Sequence, residues 1–322
     1  MKHTLKIMGI IAIVSIIVFS FVACDLDISK TTSDGFVYSG SATLTITGYT
    51  GKAKNISIPA SINKKPVAVI GEFAFFQKQL TGVDIPGSVT AIEGRAFLDN
   101  QLASVNIPKS VTSIGDYAFY KNRLTSINIP DSVISVGVGA FGDNQLNSVT
   151  IPNSVTEIGH NAFGYNPLTN FSIASDNPAF IIKDFLLMSK DEKQLIGYYG
   201  SEKSINIPDS VISVGVRTFA DKQLTSIIIP DSVTAIGSSA FYSNNLTNVT
   251  IPDSVTTFGS TAFYGNNLTS ITIGANVTLE NTFHHSTGPG GWAFDSVFHN
   301  TYNSGGRLAG TYTRSDNVWT RQ

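Results

Sequence analysis

One group of side chains near the end of this chain has residue types that bind metals. His284 and His285 lie near His299 and Glu280, and imidazole and carboxylate groups are ligands that divalent metals use in proteins. Adjacent side chains seldom converge on one ion, and the spacing matches no known ligand motif. We therefore predict that the chain holds no metal.

Carboxylates recur along the chain in a pattern that suggests paired acid and base groups. Each of four aspartates stands in the sequence IPDSV, where a turn begins: Asp131, Asp209, Asp231 and Asp253. An aspartate at the start of a turn typically caps backbone N–H groups. The chain also has no GxSxG, phosphate loop or dinucleotide fingerprint. We predict a protein that is not an enzyme and uses no cofactor.

The amino terminus has the features of an export signal. Lys2 and Lys6 precede an apolar stretch that is too short to span a bilayer comfortably, and Ala23 directly precedes the only cysteine, Cys24. We expect residues 1–23 to be a lipoprotein signal peptide, with a lipid anchor at Cys24 and a tether over residues 24–35. The alternative is ordinary cleavage near Ala23 that leaves a free thiol. Lipidation would anchor the exported protein to the bacterial outer membrane or cell surface.

The charge of the chain argues against one class of partner. The formal net charge is −2, and removal of residues 1–23 takes away two lysines and no acids, which leaves −4. Only 14% of the residues are charged. A mildly acidic chain is a poor ligand for nucleic acid, so we predict no nucleic-acid partner.

A repeat with a step of 22 residues must position all of these groups. The isoleucine of an Ile-Pro pair recurs at Ile85, Ile107, Ile129, Ile151, Ile207, Ile229 and Ile251. A phenylalanine keeps the same step at Phe97, Phe119, Phe141, Phe163, Phe219, Phe241 and Phe263. Two residue types in phase over seven units predict a stacked solenoid.

Residues 102–123 show what one unit contains. Val105, Asn106 and Ile107 alternate as in a short strand, which ends at Pro108 because proline has no N–H to donate. Gly115 is expected to supply a bend before a short helical or 3₁₀ segment that carries Phe119. Each unit then has one strand and one short helical segment.

An asparagine precedes the leucine that begins most units. It stands at Asn100, Asn122, Asn144, Asn166, Asn244 and Asn266. We interpret this column as an internal hydrogen-bond ladder, since a side-chain amide can satisfy backbone groups of neighbouring coils. Lys222 replaces the asparagine after the interruption, so the ladder should break there.

The motif LxxVxIPxSVxxIGxxAFxxN, over about residues 36–273, resembles the BspA-like, or treponemal-type, leucine-rich repeat proteins of bacterial surfaces. The resemblance implies a curved solenoid with parallel strands on the concave face. It also implies a secreted or lipid-anchored protein that adheres to host proteins and other cells. One scaffold carries many binding specificities, so the fold does not name the ligand.

We accordingly predict an α/β solenoid, with parallel β-strands on the concave face, 22-residue coils and short helical segments opposite. Residues 36–79 would form an amino-terminal cap and first coil, and residues 80–278 the repeat array. Between Ile173 and Ile207 the step lengthens to 34 residues. Apolar runs around Lys190–Lys193 there predict a β-hairpin insertion at about 174–204. It is either a ligand contact or a wider coil.

Residues 279–322 leave the repeat and become aromatic. Phe298 and Tyr302 have the spacing of one helix face, Gly305 would end that helix, and a strand-like GTYTR follows. This segment is either a carboxy-terminal cap or a separate recognition module.

Two kinds of surface residue are candidates for ligand binding. Tyrosines follow the phenylalanine column or lie in the insertion, and asparagines point outward from the strands: Tyr120, Tyr165, Tyr198, Tyr199, Tyr242, Tyr264, Asn106 and Asn128. Aromatic rings are common anchors at interfaces, whereas a packing role for the tyrosines is the alternative. We predict a surface recognition protein that binds extracellular host proteins or neighbouring cells, or alternatively a structural envelope protein that self-associates.

Overall fold

The computed structural model describes residues 29–274, 277, 279, 298, 301, 302, 304–306 and 308–322. Six strands form the amino-terminal end: β1 (Lys30–Thr31), β2 (Phe36–Ser39), β3 (Leu44–Tyr49), β4 (Asn55–Ser57), β5 (Ser61–Ile62) and β6 (Lys65–Ile70). The first three pair antiparallel, and β3 then pairs parallel with β6. The cap therefore converts an antiparallel sheet into the parallel ladder of the array.

Each regular coil has two short strand positions. The first precedes the Ile-Pro pair and the second follows the Ser-Val pair. Before the insertion the strands are β7 (Gly82–Asp84), β8 (Ala91–Ile92), β9 (Ser113–Ile114), β10 (Ser135–Val136), β11 (Ser148–Ile151), β12 (Glu157–Ile158) and β13 (Asn170–Ile173). Residues 105–107, predicted as a strand, lie outside the strands, although Ile107 is buried and Asn106 exposed as expected.

The second strand position, which the sequence did not reveal, builds the longest sheet. Its order is β1-β2-β3-β6-β8-β9-β10-β12, with β5 on β6, and from β6 to β12 every neighbour on this path is parallel. First strands pair separately, as β4 with β7 and β11 with β13. The predicted parallel solenoid is thus confirmed.

The predicted hairpin insertion is also confirmed. Its strands are β14 (Phe180–Lys183), β15 (Leu186–Ser189) and β16 (Gln194–Tyr198), which pair antiparallel in sequence order. Asp184 and Phe185 have φ angles of 49° and 60°, as a two-residue hairpin turn requires. The charged turn follows β15, and Lys183 forms an ion pair with Glu192 at 2.5 Å.

The array resumes after the insertion because β16 pairs parallel with the next second strand. The remaining array strands are β17 (Ser204–Asn206), β18 (Ser213–Val214), β19 (Ser226–Ile228), β20 (Ala235–Ile236), β21 (Asn248–Ile251), β22 (Thr257–Phe258) and β23 (Ser270–Ile273). β24 (Gly310–Ser315) and β25 (Val318–Arg321) form a terminal hairpin. Since β24 pairs antiparallel with β23, the hairpin covers the edge of the last described coil.

The prediction of short helical segments opposite the strands was wrong. The segments that carry the phenylalanines are turns, and among the described residues helix occurs only in the tail, at Phe298, Thr301, Tyr302 and Ser304. Two positions in each coil are left-handed, for example Arg95 (φ 57°) and Asp99 (φ 57°). A left-handed residue interrupts a right-handed helix, and the N–H of Phe97 instead bonds the Ala118 carbonyl of the next coil at 2.8 Å.

The core consists of stacked rings. Neighbouring phenylalanines from Phe75 to Phe163 lie nearly parallel with ring centroids 5.1 to 5.5 Å apart, and a second stack runs from Phe219 to Phe263. These stacks belong to two hydrophobic clusters, which meet at the insertion. The predicted phenylalanine spine is therefore present but divided.

Candidate functional site

The asparagine column is the internal ladder that the sequence predicts. Asn144 is representative: its Oδ1 accepts the Leu124 N–H at 3.0 Å, and its Nδ2 donates to the carbonyls of Phe119 (2.9 Å) and Phe141 (3.0 Å). The same three bonds recur at Asn100, Asn122, Asn166, Asn244 and Asn266. Since the side-chain amides of this column already bond backbone groups within the stack, they do not form a ligand-binding surface.

The insertion breaks this ladder and replaces it with aromatic contacts. Lys222, in the asparagine position, places its ammonium 6.0 Å from the Tyr198 ring and 5.9 Å from the Tyr199 ring. Burial, ahead of repulsion from Lys203, lowers the pKa of Lys222 to about 8. The lysine therefore helps to close the junction between the two clusters.

Tyr198 and Tyr199, two of the predicted binding residues, lie in the core. Tyr199 contacts Phe163 edge-on and stacks on Phe171, while Tyr198 packs on Phe219. Both rings are buried, and burial raises the pKa of each. They join the two halves of the phenylalanine spine, so we remove them from the candidate binding surface.

The other tyrosines lie along one edge of the coils. Tyr165 is 42% exposed and donates its hydroxyl to Asp221 Oδ2 at 2.6 Å, which links the coils on either side of the insertion. Burial and this bond raise its pKa. Half-buried Tyr242 and Tyr264 stack on each other at 6.0 Å. The tyrosine rings are partly exposed along this edge, but their contacts are with residues of neighbouring coils.

Tyr120 leans on a glycine of the next coil, because a Cβ on Gly142 would lie 2.9 Å from the ring. Burial, and then the charge of Asp143, raises the pKa of Tyr120. Tyr117 contacts Tyr120 edge-on at 5.5 Å. Asn106 and Asn128 are exposed on a separate face.

A cluster that sequence reasoning missed lies beside this edge. The Arg95 guanidinium stands 5.2 Å from the Phe73 ring and 5.6 Å from the Tyr117 ring, and it forms an ion pair with Glu72 at 2.9 Å. The sequence contained a signal for this cluster, since Phe73, Arg95 and Tyr117 occupy one repeat position at steps of 22. Such cation–π stacking holds successive coils in line.

A groove of about 820 Å³ runs along the second strands of several coils. Consecutive coils contribute Ser113, Ser135 and Thr156, and residues beyond the insertion contribute Gln194 and Val216. The groove also contains three exposed carboxylates, at Glu93, Asp116 and Glu157. The walls of the groove are both apolar and polar.

His160 lies at the side of this groove, where burial and then the nearby Arg217 lower its pKa. The imidazole is thus mainly neutral at pH 7. No arginine or lysine lines the groove within the described residues. The groove therefore presents acceptors and carboxylates to a ligand.

The remaining sequence predictions about chemistry have mixed outcomes. The side-chain capping bonds predicted for Asp131, Asp209 and Asp231 are not formed. Each of these turns is closed by a backbone hydrogen bond, such as the one from the Val133 N–H to the Pro130 carbonyl at 3.0 Å. Within the described residues no group of three or more histidine, cysteine or acidic side chains is arranged for a metal. Cys24, His284, His285, His299 and Glu280 lie outside the described residues.

No helix among the described residues has the length and apolar content to cross a bilayer.

The stacked coils, their internal amide ladder and the groove across several coils define a leucine-rich repeat solenoid. Six copies of the BspA type leucine rich repeat region match residues 68–183 and 197–287, well over half of the chain. The chain therefore belongs to the BspA-type leucine-rich repeat family.

Solved structures agree in fold. A leucine-rich repeat protein from Eubacterium ventriosum is 24% identical (TM-score 0.65), with 78% of this chain and 73% of that chain covered. The pneumococcal vaccine antigen PcpA is 22% identical (TM-score 0.58), over 78% and 82%. A leucine rich cell surface protein from Faecalibacterium prausnitzii is 24% identical (TM-score 0.52), over 78% and 90%. No curated protein matches the chain.

Proposed function

We propose that this chain is a non-enzymatic, surface-displayed recognition protein that adheres to host extracellular proteins or to neighbouring cells. The groove across the second strands carries the proposal, because it offers apolar and polar contacts from several coils in one recess. Concave recesses of about 300–1,000 Å³ are typical of ligand sites. Two proteins of the same fold are described as a vaccine antigen and a cell surface protein, which supports display at the surface. A lipid anchor at Cys24 would provide the attachment.

Binding to a panel of matrix proteins, serum proteins and glycans tests this proposal with residues 25–322. Thr156→Trp would fill the groove, whereas Thr250→Trp adds the same bulk to an exposed first strand. We expect saturable binding that Thr156→Trp weakens by at least about tenfold and Thr250→Trp leaves unchanged. Equal effects of the two variants, or no saturable ligand, would contradict recognition through the groove.

Self-association is a second candidate function, and exposed isoleucines favour it. Ile134 is 50% exposed and Ile212 is 41% exposed, at a position where other coils have threonine. Ile228 is 58% exposed on a first strand. We expect sedimentation to show multimers that dissociate in an Ile134→Thr, Ile212→Thr, Ile228→Asn variant if these side chains form an interface. A wild-type monomer at all concentrations would exclude this function.

A further inference from the structure

The ladder of second strands ends abruptly at β12. In the preceding coils one N–H in each coil bonds the equivalent carbonyl of the coil before, as Ile134 does with Thr112 (2.8 Å) and Thr156 with Ile134 (2.9 Å). One step of 22 residues further, the equivalent position is Pro178, which has no N–H. The Thr156 carbonyl consequently accepts no bond within the described part of the chain.

The carbonyl of Ile158 is open for a related reason. A regular coil would bond it through the N–H of residue 181, as Gly159 bonds the Val136 carbonyl at 2.8 Å. Ile181 instead pairs with Met188 in β15. The N–H groups of Ala179 and Phe180 both bond the Asn177 side chain at 2.9 Å. The carbonyls of Thr156, directly before β12, and of Ile158, within it, are therefore left without a backbone partner in the described chain.

The exposure of the inward side chains also indicates that β12 has no neighbouring strand on this edge in the described chain. Ile92, Ile114 and Val136 occupy the inward position of β8, β9 and β10, and each is 1% exposed. Ile158, at this position in β12, is only half-buried. Both Ile158 and Phe180 line the groove. The edge of β12 thus has an apolar side chain that is only partly covered.

The charged residues around the edge of β12 indicate which kind of ligand would bind there. Glu157 is exposed on the groove side of β12, and Glu93 and Asp116 lie further along the groove. Glu93 and Asp116 each use one carboxylate oxygen to accept a backbone N–H, from Glu72 and Val138 respectively. The charge of Arg217 acts on His160 at the side of the groove, but Arg217 does not line the groove. A ligand rich in N–H donors and positive charge complements this surface.

We infer that the edge of β12 binds an extended polypeptide segment bearing lysine or arginine, which adds to the sheet as a further strand. Its N–H groups would donate to the Thr156 and Ile158 carbonyls. Alternate side chains of a strand point to opposite faces, so an apolar residue covers Ile158 while a basic residue meets Glu157. This inference rests on the proposed recognition function and names its partner class.

Three labelled octapeptides test the inference with residues 25–322 by fluorescence anisotropy. One alternates valine and lysine, a second alternates valine and glutamate, and a third is the valine–lysine peptide with alternate backbone nitrogens methylated. We expect saturable binding of the first, about tenfold weaker binding of the methylated form, and none of the acidic peptide. Glu157→Gln should weaken the first by about threefold to tenfold.

The matched control is Asp231→Asn, which removes an exposed carboxylate outside the groove and should leave peptide binding unchanged. Equal binding of the methylated and parent peptides would overturn strand addition, because charge alone would then explain the affinity. If no basic peptide binds while Thr156→Trp still abolishes host-protein binding, the inference fails and the recognition function stands. If Thr156→Trp has no effect on host-protein binding, the proposed function itself fails.

Discussion

At the scale of single residues, the fold depends on side chains that replace backbone partners. The asparagine amide bonds three backbone groups from two coils, and the turn serine of several coils also bonds a backbone carbonyl, as Ser132 Oγ donates to the Val111 carbonyl at 2.7 Å. Because these groups are buried or nearly so, each bond is costly to lose. The asparagine column and these turn serines are therefore parts of the scaffold.

Asn144→Ala should destabilise the protein by about 3 kcal/mol, since it leaves the Leu124 N–H and the Phe119 and Phe141 carbonyls unsatisfied in the interior. Urea unfolding measures this loss. Asn106→Ala removes an exposed amide and should change the free energy of unfolding by less than about 0.5 kcal/mol. Comparable losses in the two variants would show that the ladder contributes little.

At the scale of one coil, close stacking decides which residues are allowed. We expected Gly115 to supply a bend. Its φ lies outside the left-handed region, and a Cβ there would lie 2.5 Å from the Gly94 nitrogen of the preceding coil. The left-handed positions are elsewhere and are filled mostly by other residues, such as Tyr117 and Thr261. Glycine in this repeat therefore marks contact between coils.

Gly115→Ala should cost about 2 kcal/mol or more, because the backbone of the preceding coil must move to admit the methyl group. Gly87→Ala is the matched control, as nothing lies within 4 Å of its Cβ position. Thermal unfolding of both variants measures the difference. A destabilisation of Gly87→Ala as large as that of Gly115→Ala would contradict a steric cause.

Sequence periodicity predicts the parts of this fold in which one residue type serves one position. The phenylalanine spine, the asparagine ladder and the change of register at the insertion all follow from it. The second strands were missed because most have only two residues, too few for alternation to show. The turn segments were misread as helical because their left-handed positions hold unrelated residues, from Arg95 to Thr261. The open edge of β12 emerges only when Pro178 is aligned with Thr156.

At the scale of the whole molecule, the protein consists of two repeat stacks that are joined at the insertion. The insertion separates the clusters, and Tyr199, Tyr198 and the bond between Tyr165 and Asp221 connect them. Repeat proteins are stabilised by contacts between neighbours, so a weak interface uncouples the units on its two sides.

Tyr199→Ala should remove about 3 to 5 kcal/mol from this interface and split unfolding into two transitions. Trp319 is buried in the carboxy-terminal cluster, so its fluorescence reports the carboxy-terminal stack, whereas circular dichroism reports both stacks. We expect the two urea curves to separate in this variant. Tyr242→Ala, at the half-buried edge, should leave them coincident. Coincident curves for Tyr199→Ala would show that the stacks unfold as one.

The junction of the two stacks at the insertion also has a mechanical consequence. Most hydrogen bonds between coils run along the axis of the stack. A force applied between the two ends of the array therefore acts on every coil-to-coil interface in series. The interface with the fewest hydrogen bonds separates first. At the insertion the second-strand ladder is interrupted and the asparagine column is broken. Tension of the kind that acts on a protein held between two surfaces should therefore open the molecule there, and each stack would lengthen only at higher force.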